Sequence, residues 1–215
     1  MKTFLFQGDS ITDANRDRVW DKEDFGKGYA VMMAGSLTYK FPGEFLIYNK
    51  GISGDRIVDL YQRIKCDIIN LKPDYMSLLI GINDIWHEYV SQNGVDAEKF
   101  EKIYSMLIEE VKEALPDIKI ILLEPFVLKG TTAPWGGQGT DVHWEKFEKD
   151  IVIRAEIVKR IAEKYNLSFV PLKEEFETLG KKYGNDVWLV DGVHPTPAGH
   201  KLIAERLEEA FLKIK

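Results

Sequence analysis

Cysteine is nearly absent: Cys66 is the only one, so no disulfide can form within the chain. Stability must then come from a packed core, and a lone thiol fits a reducing compartment such as the cytoplasm. Long hydrophobic runs are missing as well. No apolar stretch approaches the roughly 20 residues of a membrane helix, which argues against a membrane protein. The amino-terminal MKTFLFQGDS offers only Thr3 to Phe6 before polar chemistry begins, too little for a secretory leader. Basic excess is lacking too: Asp and Glu outnumber Lys and Arg by 35 to 29, and the lysines are interleaved with glutamates. Nucleic acid is thereby disfavoured as a partner. No repeat or low-complexity linker divides the chain, and 215 residues that are 45% apolar supply one buried core. A single domain over 1–215 is expected.

Five short apolar runs have strand character: Thr3 to Phe6, Phe45 to Tyr48, Tyr75 to Ile80, Lys119 to Leu123 and Ser168 to Val170. Between them the apolar spacing turns helical. Ile57, Leu60, Tyr61, Ile64, Ile68 and Leu71 fall on one stripe and predict one helix; Phe100, Ile103, Tyr104, Leu107, Ile108 and Val111 predict another. A third helix is predicted from Asp141, an N-cap, to about Tyr165, and a fourth after Thr196, with Pro197 at its first position. Alternating strand and helix implies an α/β fold with a parallel sheet, because parallel strands need crossovers and those crossovers cover both faces. Ligands of such sheets bind beyond the carboxyl ends of the strands. The irregular stretch PFVLKGTTAPWGGQGT, 125–140, follows such an end and is expected to flank the site.

Four polar blocks interrupt the apolar pattern: GDSIT from Gly8, GISGD from Gly51, GIND from Gly81 and DGVHP from Asp191. Three follow predicted strands, and the fourth precedes the last helix, so one rim collects all four. Ser10, after a strand and a glycine, can present its hydroxyl at a tight turn; alone, Gly-Asp-Ser is as well read as a capped turn. A serine nucleophile needs a base, and His194 offers one with Asp191 three residues earlier to orient the ring. His87, His143 and His200 lack such a local partner, His200 being the nearest rival. Acyl transfer also needs donors for the oxyanion, and the backbone of Ser10 and Gly54 with the carboxamide of Asn83 can supply three. Trp86, Trp135 and Trp188 stand near the rim and can wall a sugar ring or short acyl group, core packing being the plain alternative for each.

GDSIT, the glycine of ISGD, GIND as GxND and DGVHP as DxxHP, in this order over nearly the whole chain, resemble the SGNH (GDSL-like) hydrolase family. The resemblance implies a three-layer α/β/α, flavodoxin-like parallel sheet of five strands. It also implies Ser10, Asp191 and His194 as the catalytic triad, Ser10, Gly54 and Asn83 as the oxyanion hole, and no metal or organic cofactor. The stretches NKGISGDRIVDLYQR and KPDYMSLLIGINDIW are most similar to the bacterial branch that holds acetylxylan esterases and related carbohydrate acetylesterases. The expected activity is therefore hydrolysis of short acyl esters, acetyl above all, on carbohydrates such as xylo-oligosaccharides. Relatives in that branch often assemble, so the oligomeric state is open between a monomer and a homo-oligomer, for which an exposed aromatic such as Trp20 or Tyr39 could serve an interface.

Competing readings remain distinct. A lysophospholipase or thioesterase shares the same catalytic residues and differs in the pocket. A metal-dependent phosphohydrolase would take Asp9, Asp13, Asp84 and Asp191 as Mg²⁺ ligands, yet Asp9 and Asp13 straddle a helix start, and Ser10, Asn83 and His194 would have no task. The simpler role for Asp9 is to tie the turn to nearby backbone, or to Arg16 or Arg56. A noncatalytic carbohydrate-binding module rests only on the 12% aromatic content and the tryptophans.

Overall fold

The computed structural model describes residues 1–21, 24–130 and 141–215. Strands β1 (Lys2–Gly8), β2 (Phe45–Asn49), β3 (Tyr75–Leu79), β4 (Lys119–Leu123) and β5 (Ser168–Val170) form one parallel sheet in the order β2-β1-β3-β4-β5. Phe4 of β1 lies opposite Ile47 on one side and Tyr75 on the other. All five runs of the sequence are strands because a sheet covered on both faces needs short, continuously apolar segments.

Side chains alternate along each strand and divide the interior in two. Phe4 and Phe6, Tyr75 and Leu79, and Ile121 and Leu123 meet the helices α2 (Tyr29–Lys40), α8 (Lys173–Tyr183) and α9 (Pro197–Ile214). Leu5, Met76 and Leu78, and Ile120 and Leu122 face α3 (Ile57–Gln62), α6 (Ala97–Ala114) and α7 (Asp141–Tyr165). The result is the three-layer, flavodoxin-like arrangement. Each fully buried side chain in α6, such as Phe100 or Leu107, stabilises the fold by about 1.5–3 kcal/mol over its exposed state.

The stretch 57–71 departs from expectation. One apolar stripe predicts one helix, but the chain forms α3, then α4 (Ile64–Asp67), then a 3₁₀ turn, Ile69–Leu71. The backbone leaves helical geometry at Arg63 (φ −103°, ψ 15°) and again at Ile68 (φ −131°, ψ −69°). Arg63 is held there by what its guanidinium binds: Asp55 at 2.7 Å, the Lys50 carbonyl at 2.8 Å and Asp67 at 3.0 Å. Ile57, Leu60, Ile64 and Ile68 still share one buried cluster. Periodicity had reported the buried face, which survives the two breaks.

The helices α2, α5 (Ile82–Ser91) and α8 lie outside the four that spacing predicts. The four-residue helix α1 (Ser10–Asp13) follows β1 directly, and α5 follows β3. β1 and β3 are neighbours from which the chain crosses to opposite sides of the sheet, which opens a crevice at their carboxyl ends.

Candidate active site

Ser10 is the first residue of α1, capped by Asp9, whose carboxylate accepts the Ile11 N–H at 3.0 Å. The first N–H groups of a helix have no partner within it, so the Ser10 amide faces outward beside its own hydroxyl. Gly8 makes the turn possible: a Cβ there would lie 2.3 Å from both the Leu79 carbonyl oxygen and Thr12 Oγ1. Asp9 itself is buried, which pushes its carboxyl up to about 7 against the opposing pull of the Ile11 N–H and His194. The two arginines proposed as its partners go elsewhere, Arg16 to Asp13 and the Gly51 carbonyl, Arg56 to Asp59.

From the far end of the chain, His194 reaches Ser10: its Nε2 is 3.0 Å from the serine Oγ. Its Nδ1 is 2.7 Å from Asp191 Oδ2. Asp191 Oδ1 accepts the backbone N–H groups of Val193 and His194 at 2.9 and 2.8 Å. Burial works to raise the Asp191 pKa, but the His194 ring and these N–H groups outweigh it and bring it down to about 2. The carboxylate is then ionised at neutral pH and can only accept, so Nδ1 carries the ring proton and Nε2 is left to accept from Ser10. The same hydrogen bond raises the His194 pKa, against burial, which lowers it.

The loop carrying this pair is tightly pinned. Leu189 and Pro195 form an antiparallel bridge, Val190 N–H donates to the His194 carbonyl at 2.8 Å, and Leu128 N–H donates to Gly192 at 2.8 Å. Val193 packs against Ile82 and Ile85 of α5.

Hydrogen bonds join the other blocks to this centre. Asp13 Oδ2, at the end of α1 and next after GDSIT, accepts from Ser53 N–H at 2.9 Å and ties that helix to GISGD. Asn83, buried in the first turn of α5, donates one carboxamide hydrogen to the Asp55 carbonyl at 3.1 Å, which leaves its second hydrogen for a ligand. Asp84 accepts the Ile57 N–H at 3.1 Å and so ties GIND to the start of α3. Gly54 sits in the intervening turn at φ +88°. Asp9, Asp13, Asp84 and Asp191 thus each hold backbone N–H groups, and among the described residues no three metal-ligating side chains gather.

A cavity of 440 Å³ opens beside Ser10 and His194, and Asn15, Lys27, Ser53 and His200 contribute to its wall. Of the tryptophans, Trp86 lies edge-on to His194 with ring centroids 6.0 Å apart. Trp188, which the sequence made the best placed of the three, packs against the core beside Tyr183, its indole nitrogen buried without a partner among the described residues. Its carbonyl accepts the Thr196 N–H at 2.9 Å as the chain goes on to His194. Trp135 and most of the 125–140 loop lie outside the described residues, as does the side chain of His143. Sequence reasoning missed Asn49, Arg63 and the Asn15, Lys27 and Ser53 wall; their partners are set by folding, and no local spacing marks them.

Comparison with known proteins gives this geometry a context. The family model for GDSL-like lipases and acylhydrolases matches residues 6–202. The chain belongs to the GDSL-like lipase/acylhydrolase family. An acetylxylan esterase of Geobacillus stearothermophilus is 34% identical to this family member over 97% of the chain and 91% of its own length. The crystal structure of Axe2, an acetylxylan esterase from that organism, superposes with a TM-score of 0.83 at 32% identity, covering 97% of this chain and 93% of the other. LAE5, an alpha/beta hydrolase from the metagenome of Lake Arreo, Spain, gives 0.82 at 27% identity, with 97% and 94% covered. The chain is accordingly a carboxylic ester hydrolase with the parallel five-stranded fold of these relatives. Among the described residues no helix is long and apolar enough to cross a membrane.

Proposed function

We propose that residues 1–215 act as one unit that hydrolyses acetyl esters of carbohydrates, such as acetylated xylo-oligosaccharides, through an acyl-serine intermediate. The observation that carries this reading is the unbroken line from Ser10 Oγ to His194 Nε2 (3.0 Å) and from His194 Nδ1 to Asp191 (2.7 Å). His194 takes the Ser10 proton as Oγ attacks the ester carbonyl carbon. The resulting oxyanion is held by the N–H groups of Ser10 and Gly54 and by the free carboxamide hydrogen of Asn83. His194 then gives its proton to the departing alcohol, leaving acetyl on Ser10. Water, deprotonated by the same nitrogen, attacks that acyl carbon and frees acetate. Asp191 stays ionised throughout and stabilises the imidazolium.

Support comes also from the relative Axe2, whose catalytic variants include a serine and an aspartate each replaced by alanine. That protein is described as an acetyl-xylooligosaccharide esterase. Trp86, edge-on to His194, supplies an apolar surface for the acetyl methyl group or the sugar ring. The exposed thiol of Cys66 favours the cytoplasm as the place of action. Trp20 and Tyr39, 90% and 86% exposed, are the side chains we assign to contact between copies, which light scattering of the purified protein tests.

Ser10→Ala should abolish turnover of p-nitrophenyl acetate while the circular dichroism spectrum is kept; retained turnover would remove the mechanism. An activity panel of acetylated xylo-oligosaccharides against p-nitrophenyl esters of rising chain length tests the substrate. Preference for long acyl chains would favour the lipase side of the family instead.

A further inference from the structure

Acyl transfer employs one of the two imidazoles on the cavity wall. The other, His200, lies in the first turn of α9. Its Nδ1 is 3.2 Å from the backbone N–H of Tyr29, the first residue of α2. A backbone N–H only donates, so Nδ1 must hold a lone pair and the ring proton must sit on Nε2. Burial, with the nearby charge of His194 a lesser cause, pushes this imidazole down to about 4, so it is neutral at ordinary pH. Gly28 permits the approach, since a Cβ there would lie 2.8 Å from His200 Cε1. The Tyr29 ring stacks on the imidazole with centroids 6.5 Å apart and planes 27° from parallel.

Position and tautomer are therefore fixed by α2, and one ring N–H is left over on an imidazole that shares its cavity with the reacting serine. Around it the wall is mixed: Asn15, Lys27 and Ser53 supply polar groups beside the apolar Ile11, Ala14, Pro195 and Pro197. The Lys27 N–H closes the loop by donating to the Ala14 carbonyl at 2.9 Å, and Asn49 clamps both sides of it through the Thr12 and Phe25 carbonyls at 2.7 and 2.9 Å. The imidazole, a donor fixed in place and tautomer, suits a ligand rich in uncharged acceptors. A neutral imidazole also gives a hydrogen bond without adding a positive charge that would weaken His194 as a base.

We propose that His200 is a specificity-determining residue: its Nε2–H, aided by the Lys27 ammonium, binds hydroxyl or ring oxygens of the sugar whose acetyl group lies at Ser10. This rests on the carbohydrate-esterase reading and assigns the alcohol part of the ester to this wall. A site built to hydrogen-bond a substrate discriminates strongly against one that lacks the acceptor. p-Nitrophenyl acetate, with no hydroxyl on its leaving group, provides that contrast.

The test compares kcat/KM for acetylated xylobiose and for p-nitrophenyl acetate in the wild type, His200→Phe and Lys27→Met. His200→Phe should lose about tenfold more on the sugar ester than on the aryl ester, the worth of one hydrogen bond. Lys27→Met, altering an exposed side chain, should shift the ratio the same way through KM. In the wild type, the ¹⁵N resonance of His200 Nε2 should move on titration with xylobiose, a readout that needs no variant to fold. Equal losses on both esters together with an unmoved resonance overturn the inference alone. A wild type that cleaves p-nitrophenyl acetate but no acetylated xylobiose overturns the substrate reading and this inference together.

Discussion

Replacing Asp191 by Asn isolates what the carboxylate contributes, since shape is kept and only charge and one acceptor change. The Asn oxygen would stay on the Val193 and His194 N–H groups, which the wild-type Oδ1 accepts at 2.9 and 2.8 Å. The amide nitrogen then occupies the Oδ2 position, 2.7 Å from His194 Nδ1. An amide there donates, which drives the ring proton to Nε2, the atom that must accept from Ser10. Flipping the amide gives no relief, because its NH₂ would then meet two backbone donors. Compared with the wild type, the productive tautomer of the variant lacks a charge-assisted hydrogen bond, about 1.5–3 kcal/mol, and sets N–H against N–H, about 1–3 kcal/mol more. Together these amount to about 4 kcal/mol, or roughly a thousandfold in kcat at 1.36 kcal/mol per decade.

The pH profile carries an independent signature of the same change. His194 must be neutral to act as base, and its hydrogen bond to Asp191 raises its pKa from the ordinary histidine value, so wild-type activity is lost as pH falls through that raised pKa. Without the carboxylate that acid limb moves to lower pH. Initial rates on p-nitrophenyl acetate from pH 4 to 9 measure both quantities. A loss under tenfold, or an acid limb that stays in place, would refute the account of the pair.

Three further outcomes follow from the geometry. Asn83→Ala should lower kcat by about a hundredfold or more with little change in KM, as for the loss of one oxyanion donor; a change confined to KM would take Asn83 out of the transition state. Arg63→Ala strips Asp55, Asp67 and the Lys50 carbonyl of a half-buried partner and should cost about 3 kcal/mol in urea denaturation; a cost below about 1 kcal/mol would mean the break in 57–71 has another cause. Asp84 is pushed up to about 7 by burial, so the folded chain binds its proton where the unfolded chain, ionising near 4, does not. Stability from this group therefore falls as pH rises from about 4 to 7. Asp84→Asn should gain in Tm over the wild type between pH 5 and pH 8, and an equal difference at both values would contradict the shift.

The strands and the functional loops were legible for different reasons. Buried parallel strands must be short, apolar and separated by crossovers, and that pattern survives in the bare sequence. Asp191 and His194 are three residues apart, so their pairing is a local matter, and Ser10 announces itself by following a strand and a glycine. Long-range contacts left no such trace. Nothing near Arg63 says that Asp55 and the Lys50 carbonyl will pull it out of a helix, and nothing near His200 points to Tyr29, 171 residues earlier. Trp188, three residues from Asp191, is half-buried and packs against the core, a contact that its place in the sequence does not mark.

The acid and the base ride together on one short stapled loop, whereas the alcohol they serve is anchored to a strand at the other end of the polypeptide. Thermal breathing of that loop would part base from alcohol while sparing the bond between base and acid. Inactivation on warming would then run ahead of global melting and reverse on cooling, with the detached half still assembled and ready to dock again.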